Sequence, residues 1–213
     1  PDELRRQLDE LVRLATSDLT ALWGQVASAQ VAGELLADIL PELVAVYGSG
    51  AATLAADWYD ELRVAEEITG RFRALAAELP DSGRTQALAG WATAGLGPDD
   101  LALGLEKAQG GLQRIIANAG RDTIIQSSTA DPRADGWQRS ASGGCGFCRM
   151  LASRGAVYTS GTVDFGAHDH CRCVAVPAFS GRPKPVQPYT PTERTVTDAD
   201  RERTRLWMAE HGY

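Results

Sequence analysis

Cysteine is missing from most of this chain. None occurs before residue 145 or after residue 173, so Cys145, Cys148, Cys171 and Cys173 all lie within "CGFCRMLASRGAVYTSGTVDFGAHDHCRC". Histidine is nearly as scarce, and two of the three, His168 and His170, fall in the same stretch. Long apolar runs are lacking too: "LADILPELVAV" (36–46) is broken by charges and Pro41, far from the roughly 20 apolar residues of a membrane-spanning helix. The opening "PDELRRQLDE" has the character of neither a signal peptide nor a transit peptide. The expectation is a chain made in a cytoplasm, where thiols stay reduced, which tilts the cysteines toward metal. No HExxH, nucleophile elbow or internal repeat is present.

What is present suits a globular protein. Of 213 residues, 44% are hydrophobic and 23% charged, enough for one sizeable core or for a domain with an appendage. The formal charge of −7 is unevenly spread. Residues 1–130 carry 10 basic and 19 acidic side chains; residues 131–213 carry 11 and 9. So acidic a chain is a poor general DNA binder, because the phosphate backbone requires a concentrated basic surface. The segment Arg139 to Lys184, with six basic and two acidic residues, retains the capacity to meet nucleic acid or an acidic partner.

Residues 1–130 read as a helical domain. Leu4, Leu8, Leu11, Ala15, Leu22 and Val26 form one amphipathic stripe, with Asp2 and Glu3 favouring its N-terminus through the helix dipole. A second helix is predicted over 31–47, kinked or restarted at Pro41, followed by a break at "YGSG" (47–50) and a further helix over 51–67. "PDSG" (80–83) predicts a turn, and 85–97 a short helix ending at Gly95 or Gly97. Residues 98–127 predict a long helix with Pro98 in its first turn and a stripe of Leu101, Leu105, Ala108, Leu112, Ile115 and Ala119. The pair Gly110–Gly111 argues against it by about 1 kcal/mol each. Trp23, Trp58 and Trp91 are expected in the core.

The last third changes character. "STADPRADGW" (128–137) is a polar boundary, "GAVYTSGTVDF" (155–165) predicts a β-hairpin, and "CRCVAVPAF" (171–179) a strand. "SGRPKPVQPYTPTE" (180–193) reads as an extended linker, and 198–213 as a terminal amphipathic helix presenting Leu206, Trp207 and Met208. The domains expected are 1–130 helical, 131–180 a Cys/His core, and 181–213 a linker with a docking helix. The fold class is mainly α with a small α+β zinc-stapled core, a hairpin and strand surrounding the metal site.

Cys145-x-x-Cys148 brings two thiolates to one point, and His168-x-x-Cys171 is a second pair at the same spacing. Two such pairs around a hairpin-length insert suit a tetrahedral zinc site of three sulfurs and one nitrogen. The favoured ligands are Cys145, Cys148, His168 and Cys171. Cys173 is the first alternate, since it shares a face with Cys171 in an extended strand, and His170 also competes. Disulfides or metal-free buried thiols are the rival readings, but a Cys-x-Cys disulfide is strained and leaves the histidine unexplained. A redox CxxC is expected at the start of a helix after a strand, whereas this one follows Ser- and Gly-rich sequence. The ligands can close the coordination sphere, which favours a structural Zn2+ stapling a unit too poor in apolar residues to fold alone.

"GWQRSASGGCGFCRMLASRGAVY" followed by "HDHCRCVAVPAF" resembles the core of the phage Mu F-like (MuF) minor head, or head morphogenesis, proteins. Cys145, Cys148, Gly155, Val157, Tyr158, His168, Cys171, Arg172, Cys173 and Pro177 fall on that family's pattern; Asp169 stands where it usually has proline. "YGSGAATLAADWYDELR" and "RDTIIQSSTADPRADGW" are similar to its actinobacteriophage branch, so the resemblance spans roughly 45–180. It implies a non-enzymatic minor capsid protein of a tailed phage, bound to the portal inside the head and aiding assembly or DNA packaging and delivery. The implied partners are portal protein, major capsid or scaffold protein and packaged DNA, with no membrane; the implied location is the virion, and the host cytoplasm during assembly. Some relatives are described as capsid maturation proteases and some carry C-terminal toxin domains, for which 33 residues after Ser180 are too few. A maturation protease and a zinc-finger-like nucleic-acid binder are the rival functions. The former should lose activity through one side chain, and the latter should bind with steep salt dependence.

Overall fold

The computed structural model describes residues 1–141, 146–159, 165–179 and 195–213. Helix α1 spans Asp2–Trp23 and buries Leu4, Leu8, Ala15, Leu19 and Trp23 along one face. It stops before Val26, which still packs on the core. Helix α2 (Ala29–Leu43) is capped by the Ser28 hydroxyl, which accepts from the Val31 amide at 3.2 Å. One π-helical turn (Val44–Gly48) leads directly into α3 (Ser49–Ala65).

The break expected at 47–50 is therefore absent: 29–65 is one continuous helix. Pro41 lies inside it, and the Val44 amide donates to both the Leu40 and Pro41 carbonyls, so the wider turn that follows absorbs the change of register. Gly48 is buried beneath Leu79 and Gly50 abuts Leu11; packing decides these glycines, not their turn propensity. By length and composition this helix is apolar enough to cross a membrane. Its Leu36, Leu40, Leu43, Ala51 and Ala55 lie in the protein core, and Glu34, Asp38, Glu42 and Asp57 face outward, the two-faced pattern of a core helix.

Residues 66–81 cross the bundle without regular structure. The Ala74 amide donates to Asp60 Oδ1 and the Ala77 amide to Thr123 Oγ1, both at 2.9 Å. Helix α4 (Ser82–Thr93) ends before Gly95, which takes a left-handed conformation at φ 70°. After a 3₁₀ turn at Pro98–Asp100, α5 (Leu101–Ala130) runs through the centre and buries more than half of its residues. Trp23 and Trp58 are in the core as expected, but Trp91 is 49% exposed on α4. Lys107 lies over its ring at 5.5 Å, a cation–π cover in place of burial.

The glycines that argued against α5 are what let its neighbours approach. A Cβ on Gly111 would stand 2.2 Å from Leu88 Cδ1, and one on Gly110 would stand 3.2 Å from His170 Nε2. Gly111→Ala is accordingly expected to destabilise the chain by about 1–2 kcal/mol, because overpacking against Leu88 outweighs the gain in helix propensity. Gly90→Ala, where nothing lies within 4 Å, is expected to stabilise by about 0.5–1 kcal/mol. Urea denaturation of the two variants checks this opposition of sign.

Beyond α5 the chain forms β1 (Gly136–Ser140), α6 (Gly146–Ala152) and β2 (Val174–Ala178). β1 pairs antiparallel with β2 in a two-stranded sheet, Gly136 opposite Ala178 and Ser140 opposite Val174. The boundary assigned to 128–137 thus hides both the last turn of α5 and the start of a strand. The hairpin predicted over 155–165 falls in part outside the described residues. Tyr158 makes a single antiparallel bridge to Trp137, and the Ser160–Gly161 turn lies outside the described residues. The Pro-rich linker lies there as well. Helix α7 (Asp198–Glu210) is closed by a Thr197–Asp200 capping box and contacts α6, with Leu206 and Trp207 exposed. The apolar core runs without interruption from Leu4 of α1 to Val176 of β2.

Candidate metal centre

Three of the predicted ligands meet. Cys148 comes from α6; His168 and Cys171 come from the loop entering β2. Their ligand atoms all lie within 4.8 Å of one another. Cys148 Sγ is 3.8 Å from Cys171 Sγ and 3.5 Å from His168 Nε2. A tetrahedral ion with metal–sulfur bonds of about 2.3 Å and metal–nitrogen bonds of about 2.0–2.1 Å has a sulfur–sulfur edge of about 3.8 Å and a sulfur–nitrogen edge of about 3.5–3.6 Å. The donor set fits such an ion in kind, and the two edges at Cys148 fit it in length. His168 Nδ1 lies 2.6 Å from the Asp169 carbonyl; donation there fixes the tautomer whose Nε2, facing Cys148 Sγ, carries the ligating lone pair.

Cys145 lies outside the described residues. Cys148, Cys171 and Cys173 are all buried. The Cys173 thiol interacts with those of Cys171 and Cys148 but is not among the three that close around one point. His170 does not join them. It takes a left-handed backbone at φ 60°, its amide donates to Gln113 Oε1 at 2.7 Å, and its ring lies beside Gly110. Although Ser- and Gly-rich sequence precedes it, Cys148 sits in the first turn of a helix that follows a strand. That context removes one sequence argument against redox chemistry, and the histidine and the tetrahedral spacing remain to favour a metal.

A proton is shared between Cys171 and Cys173. The hydrogen bond from the Cys173 thiol, aided by the Arg121 guanidinium and opposed by burial, holds Cys171 down to about 4. The same hydrogen bond, with burial, pushes Cys173 up. The site thus favours a thiolate at Cys171, the form that binds metal.

Sequence reasoning missed the residues that hold this loop. From α5, Gln113 Nε2 donates to the Cys171 carbonyl at 3.0 Å, and Arg121 donates to the Cys171 and Cys173 carbonyls at 2.5 and 2.9 Å. Carbonyls at alternate residues of an extended segment point the same way, so one guanidinium spans both. Between them, Arg172 points outward and donates to Asp9 of α1 through Nε at 2.9 Å. From β1, Arg139 donates to the Phe165 carbonyl, to the Gly166 carbonyl at 3.3 Å and to Cys148 Sγ at 3.8 Å. Both guanidiniums face the Phe165 ring, at 4.9 Å for Arg121 and 3.8 Å for Arg139. The available signal was polar: Gln113 and Arg121 lie two turns apart within the apolar run of α5, where an unexplained arginine calls for a buried partner.

Fold and site together define a mostly helical protein with a small two-stranded sheet and a Cys/His cluster able to hold a metal ion. The family model for VG15 protein matches residues 1–196, so the chain belongs to the VG15 protein family. That is a phage gene family and points to a virion-associated protein. No curated protein and no solved structure matches the chain.

Proposed function

We propose that the chain is a MuF-like minor head protein of a tailed phage, of the actinobacteriophage kind, whose small α+β unit is stapled by a structural Zn2+. It works without catalysis, associating with the portal inside the head and assisting assembly or DNA packaging and delivery. Capsid or scaffold protein and packaged DNA are its further contacts. The observation that carries this reading is the cluster of Cys148, His168 and Cys171 locked by Gln113 and Arg121 onto the central helix α5. A centre bound so closely into its own scaffold serves architecture. The cleft between α4, α5 and residues 165–167, about 510 Å³, is lined by Arg84, Trp91, Arg114, Asn118, Asp122 and Phe165 among others, with no serine, cysteine or histidine among its described lining.

The test is quantitative mass spectrometry of purified particles, together with capture of the tagged chain on immobilised portal. The reading expects a few copies per particle and retention by portal in moderate salt. Absence from particles overturns it. Cleavage of a capsid or scaffold subunit, abolished by one substitution in this chain, installs the protease reading instead. Duplex binding with a steep salt dependence installs the nucleic-acid reading.

A further inference from the structure

We propose that Arg139 and Arg121 are positioning residues of the metal centre, supplying the buried counter-charge that sets how tightly it retains a thiophilic divalent cation. The inference rests on the metal reading of the cluster and concerns residues that no sequence motif singles out.

The argument begins with charge. Arg121 and Arg139 are 2% and 3% exposed, and a buried guanidinium is tolerated only beside opposite charge. The other two buried arginines have it: Arg63 pairs with Asp131, and Arg5 with Asp2. Among the described residues, neither Arg121 nor Arg139 forms an ion pair with a carboxylate. What they meet is the cluster: Arg139 Nη1 is 3.8 Å from Cys148 Sγ, and Arg121 bridges the carbonyls of Cys171 and Cys173.

A divalent ion held by the Cys148 and Cys171 thiolates and the neutral His168 imidazole carries no net charge, and a third thiolate, as in the three-sulfur set expected from the sequence, makes the centre singly anionic. Two guanidiniums on one flank match a cluster of that sign. Hydrogen bonds to ligating sulfur and to the backbone of ligand residues also fix ligand direction, the role of outer partners in metal sites generally. Phe165, lying against both guanidiniums, keeps water from that flank.

The experiment loads the full chain with Zn2+ and follows its transfer to a chromophoric chelator, with Co2+ substitution recording the sulfur-to-metal charge-transfer band. Arg139→Gln keeps a donor and removes the charge, whereas Arg139→Lys keeps the charge. The glutamine variant should retain zinc about 10–100-fold less tightly, with an altered Co2+ spectrum, and lysine should recover most of the loss. Gly48→Ala, which crowds Leu79 against the α2–α3 helix away from the ligands, should leave affinity and spectrum unchanged. If Arg139→Gln does not fold, Arg121→Gln and Arg121→Lys carry the same comparison. Equal zinc retention in parent and glutamine variant, or no recovery by lysine, overturns this inference and leaves the metal site standing. No zinc in the parent chain overturns both.

Discussion

Serine at Cys148 and Cys171 together is expected to abolish tight metal binding and melt the α+β unit. About one zinc per chain in the parent, by elemental analysis, should fall to none. In small zinc modules the ion contributes an apparent 10–16 kcal/mol at neutral pH, as much as the whole stability of a typical domain. The loop carrying His168 and Cys171 has no regular structure of its own, since between Gly155 and Cys173 the described residues form no strand or helix. Its ties to α5 run through the carbonyls of Cys171 and Cys173, the His170 amide and the Asp169 carboxylate, which keep their places only while the loop does. Hydrogen exchange should therefore quicken first over 146–179 and then along the face of α5 that bears Gln113 and Arg121. Cys173→Ser should cost less metal affinity than Cys171→Ser, because Cys171 is one of the three residues that close around a point. A double variant that keeps both its zinc and its melting temperature would remove the staple from this account.

Asp131→Ala should be the most damaging change away from the metal centre, at about 3–5 kcal/mol. Asp131 is fully buried at the end of α5 and pairs with Arg63 of α3, whose own side chain is 5% exposed. The Tyr59 hydroxyl donates to the same oxygen, Oδ2, at 3.1 Å, and the Arg133 amide donates to Oδ1 at 2.9 Å. Phe72 and Phe179 approach the Arg63 guanidinium at 5.3 and 5.9 Å. Removing the carboxylate strands a cation among aromatic rings with only the Gly70 carbonyl, 3.2 Å away, as a remaining described partner. For a chain of this size the loss corresponds to roughly 6–20 °C in melting temperature. Burial first, then the Asp131 charge, pushes the Tyr59 phenol up, so it stays a protonated donor at ordinary pH. Tyr59→Phe should cost only about 1 kcal/mol. The double variant Arg63→Met, Asp131→Ala should recover part of the single loss, since it leaves no buried charge unpaired. Thermal melts of these chains decide the point, and additive losses would show that the pair is not the clasp described here.

These expectations separate what local sequence determines from what it leaves open. Helices α1, α5 and α7 were legible from local pattern: Leu4, Leu8, Ala15 in one, Pro98 and its following acids in another, the amphipathic run bearing Leu206, Trp207 and Met208 in the third. The pairing of His168 with Cys171 was legible for the same reason, since HxxC brings two donors together through short chain alone.

The rest was decided by contacts between residues far apart in the chain. "YGSG" carries every local sign of a turn, yet it stays helical because Gly48 fits under Leu79 and Gly50 against Leu11. Gly110 and Gly111 weaken a helix in isolation and admit His170 and Leu88 in the folded chain. β1 was hidden because its partner β2 lies across the whole metal loop. His170, which the spacing left as a competitor, has its amide held by Gln113 of α5, 57 residues earlier in the chain. Arg121 and Arg139 have meaning only beside the sulfurs. Short-range patterning selects elements and ligands; the closeness of helices and the pairing of buried charge are properties of the folded chain, because both depend on neighbours that chain order does not place side by side.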